Sequence, residues 1–127
     1  MKRYLMVLCL MFCGMIFNCQ GNTSSKNYNV SPEKSQSLLD GGSVQLIDVR
    51  KPNEFNLGHI ENAVNIDFLS DNFSEKISNL NKELPVLIYC RSGRRSQNSV
   101  VEFEKAGFTK IYNLEGGILN WKSKGFK

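Results

Sequence analysis

Cysteine is almost absent from the part of this chain that can form a folded domain. Of the four cysteines, Cys9, Cys13 and Cys19 lie within the first nineteen residues, and only Cys90 follows them. A single thiol cannot form an internal disulfide. Because His59 is the only histidine, a cysteine-histidine metal site would also lack its three or four ligands. The sequence therefore predicts no disulfide, no metal site and no cofactor in the domain.

A strong charge of one sign is also missing. The formal net charge is +4, and Lys2 and Arg3 belong to an N-terminal leader, so the remainder carries about +2. This balance argues against a nucleic-acid partner. The positive charge is local, because Arg91, Arg94 and Arg95 fall within five positions. We expect the partner to be a small anion.

No hydrophobic run is long enough to span a bilayer comfortably. The apolar run from Tyr4 to Phe17 has 14 residues, whereas a spanning helix needs about 20. Its length and the preceding Lys2 and Arg3 are typical of a signal peptide, which we predict over residues 1–18. The sequence thus indicates export to the periplasm or the outer surface.

The end of this leader resembles the lipobox of bacterial lipoproteins. The segment Ile16-Phe17-Asn18-Cys19 would make Cys19 the lipidated first residue of the mature chain. Asn18 replaces the small residue usual before that cysteine, so ordinary signal cleavage and an uncleaved anchor stay open. Residues 19–27 are polar and predict a flexible tether. Residues 28–127 then form one domain, with the membrane contacted only through the lipid anchor.

The hydrophobic pattern of the domain predicts an α/β fold with a largely parallel sheet. Its composition is that of ordinary globular proteins, with 41% hydrophobic and 22% charged residues. Short apolar runs alternate with amphipathic stretches, as in parallel sheets crossed by helices. The predicted strands cover residues 44–49, 64–66, 85–90 and 110–114.

Capping residues predict where the helices begin and end. Ser31 and Pro32 suit the start of the first helix, and Gly41 suits its left-handed end. A short helix is predicted over 52–57, ended by Gly58, and Asp71 is predicted to cap the next helix. Ser96 is predicted to cap the helix that follows Cys90, whose core-facing residues would be Val100, Val101, Phe103 and Ala106. A last short helix would pack on the domain through Ile118, Leu119 and Trp121.

The chemistry is concentrated in the segment Cys90-Arg91-Ser92-Gly93-Arg94-Arg95-Ser96, between a buried strand and a helix. A loop that enters a helix turns successive N–H groups inward, and ligands of parallel sheets bind beyond the strand ends. Such donors would stabilise the thiolate of Cys90 and lower its pKa. The arginines would hold an oxyanion through charge-assisted hydrogen bonds. Arg91 and Arg94 are preferred from their loop positions.

These features together resemble the single-domain rhodaneses over residues 28 to 127. The shared motifs are Leu46 to Arg50, Glu54-Phe55 with Gly58-His59-Ile60, Ala63 to Ile66, the loop after Cys90, Gly107-Phe108, and Leu114 to Gly117 with Trp121. The resemblance implies a five-stranded, mainly parallel sheet flanked by helices on both faces. It also implies a six-residue loop from Cys90 to Arg95 and sulfur transfer through a Cys90 persulfide, from a thiosulfate-like donor to a thiol or cyanide.

Simpler structural roles are expected for three other residues that invite a catalytic interpretation. Asp48 and Arg50 match a family motif near the site, but an aspartate and an arginine at a strand end most simply form a salt bridge or bond backbone groups of the loop, which they would support. His59 belongs to the Gly-His-Ile segment and is expected to organise backbone.

Two other functions remain open at the level of sequence. A phosphatase or arsenate reductase of the same fold has an arginine six positions after its cysteine, where this chain has Ser96. A non-catalytic sulfur carrier or redox sensor would keep Cys90 without turnover. The sequence does not identify the physiological donor or acceptor.

Overall fold

The structure, a computed structural model, describes residues 26–127. The signal peptide predicted over residues 1–18, the lipidation site at Cys19 and most of the tether predicted over 19–27 lie outside the described residues. Within residues 26–127, no helix combines the length and hydrophobicity that crossing a membrane requires.

Five parallel strands form a single sheet at the centre of the described chain. In chain order the strands are β1 (Asn29–Val30), β2 (Gln45–Asp48), β3 (Val64–Asn65), β4 (Val86–Tyr89) and β5 (Ile111–Leu114). Their order across the sheet is β1-β5-β4-β2-β3. Strand β4 is therefore central, and all four of its residues are buried.

Five helices connect or follow the strands. They are α1 (Pro32–Asp40), α2 (Pro52–Leu57), α3 (Phe73–Ser78), α4 (Arg94–Lys105) and α5 (Gly117–Ser123). The cap predicted for α1 is confirmed, because the Ser31 side chain accepts a hydrogen bond from the Lys34 N–H at 3.1 Å and Pro32 is the first helical residue.

Helices cover both faces of the sheet, which confirms the predicted fold. Alternate residues of β4 face opposite layers, as the pleat requires. Leu87 and Tyr89 pack with Ile118 and Trp121 of α5 in one hydrophobic cluster. Val86, Ile88 and Cys90 belong to a second cluster, which contains the buried hydrophobic side chains of α3 and α4. The side of the sheet that carries Cys90 is thus the side covered by α4.

Several boundaries predicted from capping residues are wrong by one to three positions. Gly42, with φ of +73°, takes the left-handed conformation expected of Gly41, whose φ is −68°. Helix α3 is capped at Asn72 rather than Asp71, without a side-chain hydrogen bond. Helix α4 begins at Arg94 with Gly93 as its cap, so Ser96 lies inside the helix.

Two residues expected to face the core are exposed instead. Val101 is 49% exposed on α4 and Leu119 is 47% exposed on α5, although their neighbours Val100 and Ile118 are buried. Neighbouring residues on a helix lie about 100° apart, so only one member of such a pair can face the sheet.

Candidate active site

Cys90 directly follows the central strand and is the only cysteine among residues 26–127. Its side chain is buried, with 1% exposure, and packs in the cluster beneath α4. The Sγ atom nevertheless has polar partners. It accepts a hydrogen bond from the Gly93 N–H at 3.1 Å and lies 3.4 Å from the Ser96 hydroxyl, which donates to it. The sulfur therefore contacts both apolar side chains of the cluster and the two hydrogen-bond donors.

The surroundings favour the thiolate form of Cys90. Burial acts to raise its pKa, because a charge is poorly solvated inside a protein. The hydrogen bonds from the Ser96 side chain and from the backbone N–H groups of Ser96, Gly93 and Ser92 act in the opposite direction and outweigh burial. The pKa of Cys90 thus lies below its ordinary value, as the sequence predicts.

Gly93 makes the sharp turn between the strand and α4. Its φ is +100°, a conformation that side chains rarely adopt, and a Cβ placed there would lie 3.3 Å from the Gly116 nitrogen. The turn directs the Gly93 N–H at the sulfur, while the Gly93 carbonyl accepts the Ser96 hydroxyl at 3.1 Å. Glycine at this position is therefore a condition for the hydrogen bond from the Gly93 N–H to the sulfur.

The first turn of α5 supports the other side of the loop. The N–H groups of Ile118 and Leu119 donate to the carbonyls of Cys90 and Arg91 at 2.9 and 3.2 Å. This approach requires Gly117, which has φ of +62° and whose Cβ, if present, would lie 2.5 Å from the Cys90 carbonyl oxygen. Gly93 and Gly117 thus permit the contacts that hold Cys90 and the loop after it.

The three arginines predicted to bind substrate do not converge on one point. Arg95 forms two hydrogen bonds of 2.7 and 2.8 Å to the carboxylate of Glu54 on α2. Arg94 lines a cleft of about 240 Å³ together with Ser92 and Gly93. Arg91 lines a separate cleft of about 250 Å³. Arg91 and Arg94 are exposed, and neither forms an ion pair within the described residues.

The pair formed by Arg95 and Glu54 ties the first turn of α4 to α2. The hydrogen bonds from Arg95 lower the pKa of Glu54 to about 2, against a partial desolvation that opposes this shift. The same pair raises the pKa of Arg95, to which the nearby Cys90 thiolate also contributes. Arg95 therefore supports the negative charge of the site while its guanidinium group is occupied by Glu54.

Asp48 and Arg50 form the buried salt bridge expected at the end of β2. The Arg50 Nη2 lies 2.6 Å from the Asp48 carboxylate and donates to the Gly58 carbonyl at 2.7 Å. Arg50 also packs over the Tyr89 ring, 5.7 Å from its centroid. The pair joins β2 to the end of α2 and underlies the site without contacting the sulfur by a hydrogen bond.

His59 has the structural environment expected for it. Its Nδ1 lies 2.9 Å from the Phe55 carbonyl oxygen, and its ring stacks on that of Phe55 at 3.7 Å. These contacts hold the turn after α2, so the ring has a packing role in this structure.

Sequence reasoning missed two residues that hold the site. Glu54 was recognised only as part of a motif, because its contact with Arg95 spans 41 positions. Asn113, buried in β5, donates its Nδ2 to the Gly93 carbonyl at 3.2 Å. A polar residue inside a hydrophobic strand is the one signal that could have indicated Asn113.

A family model, described as the rhodanese-like domain, matches residues 31–124 of the chain. Among residues 26–127, this match covers every helix, and it includes the whole segment around Cys90. The chain belongs to the rhodanese-like family.

Curated relatives of this rhodanese-like chain include several bacterial proteins. The thiosulfate sulfurtransferase GlpE of Pseudomonas aeruginosa is 31% identical over 94 residues, 74% of this chain and 83% of that protein. The tRNA uridine(34) hydroxylase of Pelagibacter ubique is 34% identical over 99 residues, 77% of this chain. The chain spans only 33% of that hydroxylase and 28% of the probable adenylyltransferase/sulfurtransferase MoeZ of Mycobacterium tuberculosis.

Solved structures of rhodanese-like proteins share the architecture. A rhodanese-related protein from Thermoplasma volcanium superimposes with a TM-score of 0.70 at 26% identity, covering 80% of this chain and 96% of that one. A rhodanese-like domain protein from Staphylococcus aureus has a TM-score of 0.65 at 30% identity, covering 75% and 91% of the two chains. The sheet and helices described above are thus those of the family.

Proposed function

We propose that this rhodanese-like chain is a sulfurtransferase that carries sulfane sulfur as a persulfide on Cys90. The observation that carries the proposal is the placement of the Cys90 sulfur among donors from Gly93 and Ser96, which lower its pKa. A thiolate is the reactive form of cysteine in substitution at sulfur. The relative named thiosulfate sulfurtransferase supports thiosulfate as the first donor to test.

In the first half-reaction, the Cys90 thiolate attacks the outer sulfur of thiosulfate. A bond forms between the Cys90 sulfur and that outer sulfur, while the sulfur–sulfur bond of thiosulfate breaks. Sulfite leaves with the bonding electron pair, and the enzyme keeps one sulfur atom as a persulfide anion. The N–H groups directed at the thiolate are suited to hold this anion, because they favour negative charge.

In the second half-reaction, the outer sulfur of the persulfide is removed by a nucleophile. A thiolate acceptor forms a new bond to that sulfur, the bond to Cys90 breaks, and Cys90 is restored as a thiolate. No other cysteine follows Cys90 or lies between residues 26 and 90. The acceptor, cyanide or a thiol, must therefore come from outside the domain.

Intact mass after treatment with thiosulfate tests the first half-reaction. We expect the full chain to gain one sulfur atom, to release one equivalent of sulfite and to lose the added mass on cyanide treatment. The Cys90→Ser variant should gain nothing. Cys19 is the natural second control, because Cys19→Ser should still take up sulfur.

The same preparation distinguishes the competing functions. Hydrolysis of an aryl phosphate without sulfur uptake would indicate a phosphatase and overturn the proposal. Uptake of sulfur with no turnover in the presence of cyanide or a small thiol would indicate a carrier module. The pairing of Arg95 with Glu54 argues against the phosphatase, because this guanidinium group is bonded to a carboxylate rather than directed to a phosphate.

A further inference from the structure

A cleft lies beside the loop that contains Cys90, between the C-terminal end of α2 and the first turns of α5. Its volume is about 250 Å³, and Leu57, Arg91, Leu119 and Lys122 are among the residues that line it. A Cβ placed on Gly58 would lie 3.6 Å from the Lys122 Nζ, so the ammonium group reaches across from α5 to the end of α2. The cleft is therefore bounded by two helices and the loop.

Two large aliphatic side chains are exposed at this cleft. Leu57 is 91% exposed at the end of α2, and Leu119 is 47% exposed on α5. Single exposed leucines are common on protein surfaces, but here two leucines from different helices line the same cleft and both offer it apolar surface. This arrangement favours a partner that presents an apolar side chain.

The charge of the cleft is positive once its internal ion pairs are considered. Of its charged residues, Arg50 is bonded to Asp48 and Glu54 is bonded to Arg95. Arg91 and Lys122 remain, and neither forms an ion pair within residues 26–127. The partner that complements the cleft therefore carries acidic groups beside its apolar side chain.

The cleft adjoins the loop that begins at Cys90. Arg91 directly follows Cys90, and its carbonyl accepts the N–H of Leu119 at 3.2 Å. Glu54, which also lines the cleft, holds Arg95 in the first turn of α4, directly after that loop. A chain segment seated in the cleft would thus have its neighbouring residues beside the loop that holds the sulfur.

We propose that this cleft docks a protein acceptor of sulfur through an extended segment in which a cysteine lies beside an apolar residue and acidic residues. The inference rests on the proposed sulfurtransferase function. The acceptor thiolate attacks the outer sulfur of the Cys90 persulfide, its new sulfur–sulfur bond forms as the bond to Cys90 breaks, and Cys90 leaves as a thiolate. The acceptor keeps the sulfur as its own persulfide.

The test compares a peptide acceptor with cyanide, using the full chain loaded from thiosulfate. The probe is an acetylated and amidated heptapeptide with a central cysteine, a leucine on each side of it and two glutamates at each end. Its rate of sulfur uptake is followed by mass, and discharge to cyanide is followed as thiocyanate. Cyanide is too small to use the cleft, so it reports the chemistry of Cys90 alone.

The informative variants are Leu57→Ser, Leu119→Ser and Lys122→Glu, all at exposed side chains. We expect each to lower the second-order rate constant for the peptide by about fivefold or more while discharge to cyanide stays unchanged. Leu84→Ser and Lys110→Glu are matched controls at exposed positions before β4 and β5, at the opposite end of the sheet, and should react as the unmodified chain does.

A charge exchange gives a second readout. A peptide with lysines in place of the glutamates should discharge Lys122→Glu faster than it discharges the unmodified chain. The inference is overturned if the three variants slow the peptide and cyanide equally, or slow neither. Equal rates for free cysteine and the peptide in every variant would point to a small thiol instead and would also overturn it.

Failure of the proposed function remains distinguishable from failure of docking. If the full chain takes no sulfur from thiosulfate, the proposed function fails at its first step. Docking is then measured with the same peptide carrying serine in place of cysteine, by calorimetric titration. Weaker binding to Lys122→Glu than to Lys110→Glu supports the cleft as a docking site, and equal binding to both overturns it.

Discussion

The hydroxyl of Ser96 lies between two acceptors, 3.4 Å from the Cys90 sulfur and 3.1 Å from the Gly93 carbonyl oxygen. It has a single proton, so it can direct that proton to the sulfur when the sulfur is negative and to the carbonyl when the thiol is neutral. The orientation of the Ser96 hydroxyl thus depends on whether Cys90 is a thiolate or a thiol.

Replacing Ser96 by alanine should shift the pH profile of sulfur uptake to higher pH. The pKa of Cys90 would rise, because a hydrogen bond that favours the thiolate is lost while burial remains. At pH values below that pKa, the rate of loading from thiosulfate should fall about three- to tenfold. Stopped-flow measurement of sulfite release at several pH values checks this.

Ser99→Ala is the matched control for Ser96→Ala. Ser99 is also buried on α4, but its hydroxyl donates to the Ser96 carbonyl at 2.7 Å and not to the sulfur. Its pH profile should coincide with that of the unmodified chain. Identical profiles for Ser96→Ala and the unmodified chain would contradict the assigned role of the hydroxyl.

Gly117→Ala should destabilise the fold more than Gly42→Ala does. Both glycines have positive φ, +62° and +73°, so alanine at either site is strained by about 1 kcal/mol. Only at Gly117 would the new Cβ also meet backbone atoms of Cys90 and Arg91, whereas nothing lies within 4 Å at Gly42. We expect Gly117→Ala to lower the free energy of unfolding by more than about 2 kcal/mol in urea titrations.

The ion pair between Glu54 and Arg95 should stabilise the chain in a pH-dependent way. The pKa of Glu54 is about 2 in the folded chain against an ordinary value of 4.5. A carboxyl group with a lowered pKa contributes its full stabilisation above about pH 4.5 and loses it as the pH falls towards 2. Because the pair is partly exposed, we expect Glu54→Gln to cost about 1 kcal/mol at pH 7.

The difference in unfolding free energy between the unmodified chain and Glu54→Gln should therefore shrink below pH 4.5. Glu102→Gln serves as the control, since Glu102 pairs with Lys105 at 3.5 Å on the surface and contributes little. A difference that is constant from pH 7 to pH 3 would show that the pair is not the source of the stabilisation.

The sequence predicted the elements that depend on local pattern and missed those that depend on distant contacts. The four predicted strand segments contain β2, β3, β4 and β5, and the first helix begins where Ser31 and Pro32 place it. Strand β1 has only two residues and pairs with β5 from the far end of the chain. Asn29 and Val30 contain one apolar residue and no alternation, whereas the equally short β3 lies in the alternating segment Val64-Asn65-Ile66.

In the candidate site too, features set by local sequence were predicted and features set by distant contacts were missed. The lowered pKa of Cys90 followed from its position between a strand and a helix N-terminus, which is a local relationship. The separation of the three arginines could not be predicted in this way, because Arg95 is hydrogen-bonded to Glu54, which lies 41 positions earlier. Ser96 was assigned as a cap from its residue type, but Gly93 takes that position because the turn needs a positive φ.

Asp48→Asn should strongly destabilise the chain, because it leaves the Arg50 charge buried without its partner. Removing one member of a buried pair costs about 3 kcal/mol. The double variant with Arg50→Met removes the unpaired charge and should recover part of that loss. Urea unfolding of both variants checks this, and a double variant less stable than Asp48→Asn alone would contradict it.

We propose from the sequence that Cys19 is lipidated after export, and this proposal gives a last prediction. Cells that express the full chain and are fed radiolabelled palmitate should yield a labelled protein that partitions into detergent. Cys19→Ser should lose the label, because only the cysteine that follows Asn18 occupies the lipobox position. Cys13→Ser, a change within the same leader, should keep it. Label retained in Cys19→Ser would refute the proposal, and label absent from all three proteins would favour ordinary cleavage or an uncleaved anchor.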